Sequence, residues 1–199
     1  MVSAISAFQF LAVGSVSIRV IAGALKGRRL ETPTWDGLRP TSDRLRETLF
    51  NILGPSIQGA SVLDGFAGTG AIGIEALSRG AARVVFVERD PRAVQLIEAN
   101  LAPLLASDRP KPVIIRAGFA EAVRRLAGEV FDVIVLDPPY AEHAAAEALE
   151  AALPLVSHGA ATRLIIEHGT RHTPPAGHSG VRLTRTVTAG DSALSFYER

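Results

Sequence analysis

From residue 61 onward, short runs of β-branched and apolar residues alternate with longer amphipathic stretches rich in alanine and leucine. The apolar runs predict strands at 62–64, 83–88, 113–116, 131–137 and 163–167. The amphipathic stretches predict helices between them, at 71–79, 91–105, 120–126 and 142–153. Because such alternation is typical of successive βα units, the pattern predicts an α/β fold around a parallel sheet.

Two more β-rich runs, at 181–188 and 193–197, are separated by the turn-forming sequence Ala-Gly-Asp-Ser. Such a pair predicts a hairpin. Because a hairpin is antiparallel, we expect a mixed sheet of seven strands with helices on both faces.

The chain before residue 57 has a different pattern. Runs at 18–21 and 28–32 flank a glycine-punctuated segment and predict a small hairpin. A helix is predicted over about 42–53, because Leu45, Leu49, Ile52 and Leu53 share one helical face. We therefore expect a loose arm at 1–17, a hairpin and helix extension at 18–56, and an α/β domain at 57–199.

Composition narrows the classes of function. A chain of 199 residues that is 47% hydrophobic has material for one core, and its net charge of +1 is not that of a histone-like polycation. With no cysteine, disulfides, thiolate zinc sites and cysteine nucleophiles are excluded. Neither a secretory signal nor a membrane span is predicted, since no basic residue precedes Arg19 and no apolar run approaches about 20 residues. We expect a cytoplasmic monomer without a membrane partner.

A metal site is not expected either. His168 and His172 lie four positions apart, but no carboxylate or cysteine completes a cluster with them, and Gly169 disfavours a helix there.

Positive charge is concentrated in the predicted hairpin. Between Arg19 and Arg29 the four charged side chains are all basic: Arg19, Lys26, Arg28 and Arg29. Arg39, Arg44 and Arg46 extend the run, although Asp43 and Glu47 can pair with these arginines at helical spacing. The run predicts a surface that contacts nucleic-acid phosphates; the alternative is a solvated edge without a partner.

A glycine-rich loop joins the first predicted strand and helix of the α/β region. It reads Asp64-Gly65-Phe66-Ala67-Gly68-Thr69-Gly70. Such a loop lets a ligand approach the backbone, and Glu88 lies about 20 residues after Gly68, as in a dinucleotide fingerprint. Asp64 favours S-adenosylmethionine over NAD, because a carboxylate attracts a ligand with an ammonium and a sulfonium and repels a pyrophosphate.

A second motif, Asp137-Pro138-Pro139-Tyr140, ends the predicted strand 131–137. Its prolines fix the backbone, leaving the Asp137 side chain and the Pro138 carbonyl as rigid hydrogen-bond acceptors. These acceptors suit the two N–H groups of a planar amine whose ring stacks on Tyr140. The motif therefore predicts methyl transfer to such an amine, with an ordinary turn as the alternative.

Together, the loop and this motif resemble the class I amino-methyltransferases. The run Arg-Pro-Thr-Ser-Asp-Arg-Leu-Arg-Glu-Thr-Leu-Phe-Asn at 39–51 is similar to the RsmD family of bacterial 16S ribosomal RNA guanine-N2 methyltransferases. The resemblance covers 18–197. It implies a Rossmann-like fold, S-adenosylmethionine as methyl donor, and methylation of nucleotide 966 in the small ribosomal subunit or its assembly intermediate.

The predicted site combines the motifs with this resemblance. The expected catalytic residues are Asp137, Pro138, Pro139 and Tyr140. The expected cofactor-binding residues are Asp64, Gly65, Phe66, Ala67, Gly68, Gly70, Glu88, Arg89, Gly118, Phe119 and Asp137. The chain departs from the family at Gly118-Phe119, where related enzymes often place Asp or Asn to hold the adenine amine; backbone groups and Phe119 packing are expected to substitute.

Three alternatives stay open from sequence. The same acceptors serve DNA adenine-N6 or protein glutamine-N5 methylation. An NAD-dependent oxidoreductase would use the loop around Gly68 but not the second motif. A non-catalytic RNA-binding module would need only the basic hairpin.

Overall fold

The computed structural model describes residues 18–35, 43–104, 111–141, 143–156 and 162–199. The predicted arm at 1–17 and Arg39 lie outside these ranges. In the described ranges, no helix has the length and apolar character needed to cross a membrane.

The described residues form short strands and helices in alternation. The strands are β1 (Ile18–Arg19), β2 (Arg29–Leu30), β3 (Ser61–Asp64), β4 (Arg83–Glu88), β5 (Val113–Arg116), β6 (Val133–Leu136), β7 (Arg163–Gly169), β8 (Gly177–His178), β9 (Val181–Ala189) and β10 (Ser192–Glu198). The helices are α1 (Asp43–Leu53), α2 (Ala71–Ser78), α3 (Pro91–Leu101), α4 (Phe119–Arg125) and α5 (Ala144–Ala152).

The main sheet has the strand order β5-β4-β3-β6-β7-β10-β9-β8. The first five strands in this order are parallel, whereas β10, β9 and β8 pair antiparallel. After β3 the chain builds the sheet outward to β5 and then returns to place β6 on the other side of β3. Such a switch point leaves a crevice at the carboxyl ends of the strands, where ligands of α/β proteins bind.

The α/β class and the mixed sheet are confirmed, but the number of strands is corrected. The described part of the sheet has eight strands, not seven, because β8 pairs with the start of β9 through Gly177 and His178. This two-residue strand comes from a segment rich in proline, glycine and histidine. It lacks the apolar alternation by which strands are predicted.

Helices cover both faces of the sheet. One core holds buried residues of α1, α2 and α3 together with Val62, Val84 and Phe86 of the sheet. The other holds buried residues of α4 and α5 with Leu63, Val85 and Ile134. Alternate residues of β3 and β4 thus point into opposite cores, as the period of a strand requires.

The small sheet of β1 and β2 docks on the carboxyl half of α2. Glu75 is fully buried, and its carboxylate accepts hydrogen bonds from the backbone N–H of Ile21 and Ala22, at 2.7 and 3.0 Å. Ser78 accepts one from Leu25 N–H at 2.9 Å. Gly23 has φ +83°, and a Cβ there would lie 2.0 Å from the Ser78 carbonyl oxygen, so this contact requires glycine.

Candidate active site

A cleft of about 610 Å³ opens at the carboxyl ends of β3, β4, β6 and β7. This volume is in the range of small-molecule sites. The residues that line it include nearly all of the predicted cofactor-binding and catalytic positions: Gly65, Phe66, Ala67, Gly68, Glu88, Arg89, Gly118, Phe119, Asp137, Pro138, Pro139 and Tyr140. Asp64 and Gly70 are not among the lining residues.

The loop from Gly65 to Gly70 forms one wall of the cleft and leads into α2. Gly70 caps α2 with φ 77°, a left-handed conformation that favours glycine. At Gly65 a Cβ would lie 2.3 Å from Leu136 Cδ2, so the close approach of β3 and β6 excludes a larger residue. The backbone of the loop is therefore exposed to a ligand at the amino-terminal end of a helix.

Glu88 ends β4 and holds the loop from the other side. Its Oε2 accepts a hydrogen bond from Gly68 N–H at 2.9 Å, and its Oε1 accepts from Arg89 N–H and Asp90 N–H at 2.7 and 2.8 Å. These bonds fix the carboxylate at the edge of the cleft, where it has capacity to accept ribose hydroxyls as well.

Asp64 lies behind the loop rather than in the cleft. It is 2% exposed, and its Oδ2 accepts a hydrogen bond from Gly73 N–H at 3.0 Å. Burial raises the pKa of Asp64 to about 7, with a smaller contribution from the nearby charge of Glu88, while the Gly73 bond opposes the rise. Asp64 can therefore act on a ligand through its charge, at a distance set by the loop.

Two aromatic rings form the apolar part of the cleft. Phe66 and Phe119 have ring centroids 5.2 Å apart with their planes tilted by 31°. Gly118 caps α4 and is exposed, so its backbone is accessible beside the rings. The place thus combines apolar rings with accessible backbone polar groups; that they hold an adenine stays a prediction.

The second motif lies across the cleft from Glu88, directly after β6. Tyr140 is 44% exposed, and its hydroxyl donates to Glu167 Oε1 at 2.8 Å and lies 2.8 Å from Ser192 Oγ. Partial burial raises the pKa of Tyr140, and the charge of Glu167 raises it further, so the phenol stays protonated at neutral pH. The ring is therefore anchored at its hydroxyl end.

Glu167, Asp191 and Ser192 line the cleft but were not predicted as site residues. Glu167 lies near the end of β7, the strand beside β6, and Ile166 pairs with Leu136 one position earlier. The sequence does carry a signal for Glu167, because a charged residue follows the apolar run Leu-Ile-Ile near the end of a predicted parallel strand. Asp191 and Ser192 reach the cleft through the turn between β9 and β10, and spacing alone gave no sign of this.

The charges in the cleft are unbalanced. Its described lining carries four acidic side chains and one basic side chain: Glu88, Asp137, Glu167, Asp191 and Arg89. Such a lining favours a cationic ligand and disfavours a pyrophosphate.

The basic residues of the predicted phosphate surface are placed as follows. Arg19, Lys26, Arg28, Arg29 and Arg44 are exposed, while Arg39 lies outside the described residues. The prediction that Arg46 extends this surface is wrong: it lies in the same helix as Arg44 but is fully buried, and its guanidinium donates to the Arg19 carbonyl and to Asp43. Burial lowers the pKa of Arg46.

Of the two histidines at 168 and 172, His168 is held by hydrogen bonds within the protein. His168 is buried, and its ring nitrogens lie 3.0 Å from the Gly169 carbonyl oxygen and 2.8 Å from Ser195 Oγ. Across the described ranges, no group of three or more His, Asp or Glu side chains is arranged to hold a metal.

The chain is similar to known proteins over most of its length. The model of the family described as "Conserved hypothetical protein 95" matches residues 18–198. Ribosomal RNA small subunit methyltransferase D of Haemophilus influenzae is 42% identical over 132 residues, which are 66% of this chain and 68% of that protein. YlbH of Bacillus subtilis is 35% identical over 92% of this chain and 99% of its own.

The structure also resembles solved ones. That of yhhF from Escherichia coli superposes with a TM-score of 0.79 at 34% identity, covering 92% of this chain and 98% of the other. The fold is that of the class I methyltransferases, as the sequence resemblance implied. With a family model that matches residues 18–198 and a relative aligned over 92% of this chain, the chain belongs to the family described as conserved hypothetical protein 95, the RsmD family.

Proposed function

We propose that the chain transfers a methyl group from S-adenosylmethionine to the exocyclic N2 amine of a guanine in 16S ribosomal RNA. The observation that carries the proposal is that the glycine loop and the Asp137–Tyr140 motif, far apart in sequence, open into one cleft. A donor on the loop and an amine on the motif would then lie side by side.

The residues of the cleft fit S-adenosylmethionine. The acidic lining suits its positive charges, Glu88 can accept its ribose hydroxyls, and Phe66 and Phe119 can pack on its adenine. When bound, this cofactor supplies an electrophilic methyl group on a sulfonium. A dinucleotide would have to place its pyrophosphate among four carboxylates, which disfavours the oxidoreductase alternative.

The motif would orient the target amine. The Asp137 side chain and the Pro138 carbonyl can accept its two N–H groups, which directs the nitrogen lone pair toward the methyl carbon. The amine nitrogen would displace the sulfonium sulfur at the methyl carbon, S-adenosylhomocysteine would be the leaving group, and the amine proton would pass to solvent. Because no protein group has to form a bond, the rate enhancement comes from alignment and from the electrostatics of the acidic cleft.

The substrate class rests on the extension and the relatives. The exposed Arg19, Lys26, Arg28 and Arg29 offer a phosphate-contacting surface, and relatives are named for small-subunit ribosomal RNA. A guanine must leave its helix to enter the cleft, so the target is an unpaired or splayed-out base. By the family resemblance it is nucleotide 966, in the small-subunit particle or an assembly intermediate. The cytoplasmic location and the monomeric state of the enzyme stay predictions.

The decisive experiment identifies the methylated nucleoside. Protein and S-adenosylmethionine are incubated with small-subunit particles from a strain that lacks this activity, and in parallel with naked 16S RNA. Digestion and mass spectrometry should find N2-methylguanosine at one site, with particles as the better substrate. The Asp137→Ala variant is the control, since it loses the acceptor for the amine and should bind cofactor within a few-fold while losing turnover. N6-methyladenine in DNA, or methyl transfer to protein alone, would move the function to the alternatives.

A further inference from the structure

We propose that Asn100 couples the cofactor site to the N-terminal extension, acting as a positioning residue that both ligands require in one arrangement. This rests on the proposed function, which assigns the cofactor to the glycine loop and RNA to the extension. Asn100 lies in α3, is 5% exposed and is not among the residues that line the cleft.

The Asn100 side chain touches both regions. Its Oδ1 accepts a hydrogen bond from Glu31 N–H at 2.7 Å, and its Nδ2 donates to the Glu31 carbonyl at 3.2 Å. The same Nδ2 donates to the Thr69 carbonyl at 3.1 Å. Glu31 directly follows β2, which carries the basic Arg29, and Thr69 lies in the middle of the glycine loop and lines the cleft.

Asn100 makes one hydrogen bond as an acceptor and two as a donor. Only a side-chain amide can do this, and asparagine has the length that these contacts require. Both N–H groups of Nδ2 are used, so an ionised aspartate of the same size would face two carbonyl oxygens without a proton. An alanine would leave three backbone groups without their partner, two at Glu31 that are partly buried and the buried Thr69 carbonyl, for which the unmade bond is the most costly. The arrangement of loop and extension at this point is therefore tightly defined.

The loop is held between two side chains. Thr69 stands between Gly68 (φ 53°) and Gly70 (φ 77°), while Glu88 fixes Gly68 N–H from one side and Asn100 fixes the Thr69 carbonyl from the other. A ligand that binds the loop in this arrangement favours the Asn100 bonds, and through them the same arrangement of the segment at Glu31. The second ligand then binds an arrangement that the first already stabilises, which gives positive cooperativity.

The test compares affinities with and without the other ligand, using S-adenosylhomocysteine to prevent turnover and small-subunit particles as the RNA probe. Saturating particles should raise the affinity of the wild type for S-adenosylhomocysteine about fivefold or more. Saturating S-adenosylhomocysteine should raise the affinity for particles by the same factor, which we call the coupling factor. In Asn100→Ala, we expect weaker S-adenosylhomocysteine binding without particles and a coupling factor near one.

Ser78→Ala is the matched control, because Ser78 bonds to Leu25 and Ala22 of the extension but is remote from the loop. This variant should keep the wild-type affinity for S-adenosylhomocysteine and the wild-type coupling factor between S-adenosylhomocysteine and particles. Thermal unfolding checks that the variants fold, and Asn100→Asp, of equal size, replaces the alanine variant if that does not. Folded Asn100 variants with wild-type coupling would overturn the inference.

Failure of the proposed function has a different signature. If the wild type does not bind particles, the assignment of RNA to the extension is wrong. The affinity for S-adenosylhomocysteine alone then decides the role of Asn100 at the loop. A lower affinity in the Asn100 variants but not in Ser78→Ala supports that role, and affinities equal to that of the wild type refute it.

Discussion

At the end of β3, Asp64 is in a position where burial and the expected ligand have opposite effects. Burial favours its neutral form and raises its pKa to about 7, whereas a cationic ligand in front of the loop favours its carboxylate. The residue does not line the cleft, so this influence acts through space rather than by contact. Its charge near neutral pH is consequently adjustable by the ligand.

Asp64→Asn should change how stability depends on pH. The folded pKa of Asp64 lies above the ordinary value of 3.8, so between about pH 4 and 7 the folded state holds a proton that the unfolded chain has released. The contribution of Asp64 to stability therefore falls as pH rises through this window, by up to about 1.4 kcal/mol per pH unit. Asparagine cannot ionise and can still accept from Gly73 N–H. Denaturant unfolding should show the variant gaining on the wild type between pH 5 and pH 8; parallel pH profiles would contradict this.

Two substitutions of Tyr140 distinguish the contribution of its ring from that of its hydroxyl. Tyr140→Ala removes the stacking surface, which is worth about 1–3 kcal/mol for a base, so kcat/KM for methyl transfer should fall roughly 5- to 150-fold. Tyr140→Phe keeps the ring and loses only the anchor to Glu167 and Ser192, and the loss should be about tenfold at most. Steady-state methyl transfer to particles measures both. Equal losses in the two variants would mean that the hydroxyl, not the ring, carries the role.

At the scale of elements, strands and helices with a strong apolar period could be predicted closely. The limits of β4 and β5 agree with the prediction, and those of α2 and α4 differ by one residue. The helix predicted at 91–105 ends as an α-helix at Leu101 and continues only as a 3-10 turn. What could not be predicted depends on long-range contacts: the pairing of β8, the burial of Arg46, and the reach of Ser192 into the cleft.

The hairpin formed by β1 and β2 is the element expected to contact phosphates. Changing Arg28 and Arg29 together to Ala should weaken binding to particles and flatten its dependence on salt, since each lost phosphate contact removes about one unit from the logarithmic slope. Arg124 and Arg125 on α4 are also exposed, but their helix packs in the core on the opposite face of the sheet, so their double alanine variant is the control with the same net charge. Equal slopes for both double variants would make the hairpin a solvated edge.

At the scale of the whole molecule, the extension shares its core with the sheet. Ile18, Val20 and Leu30 of the small sheet, and Leu49 and Phe50 of α1, are buried in the cluster that also contains residues of β3, β4 and β6. Glu75 and Asn100 add partly buried hydrogen bonds to the same junction. The division at residue 57 is therefore a hypothesis about function, and we expect no corresponding division in folding.

The single tryptophan of the chain makes this expectation measurable. Trp35 lies in the extension, with its ring 4.9 Å from the Arg92 guanidinium of α3, so its fluorescence reports the extension, while far-ultraviolet circular dichroism reports mainly the α/β region. Because one apolar core spans both, the two probes should give coincident urea transitions, as in two-state unfolding. Leu49→Ala should shift both midpoints together, with a loss of about 2–5 kcal/mol, because the cavity forms in the shared core. A fluorescence transition that precedes the loss of circular dichroism, or a Leu49→Ala shift confined to fluorescence, would instead establish the extension as a separately unfolding unit.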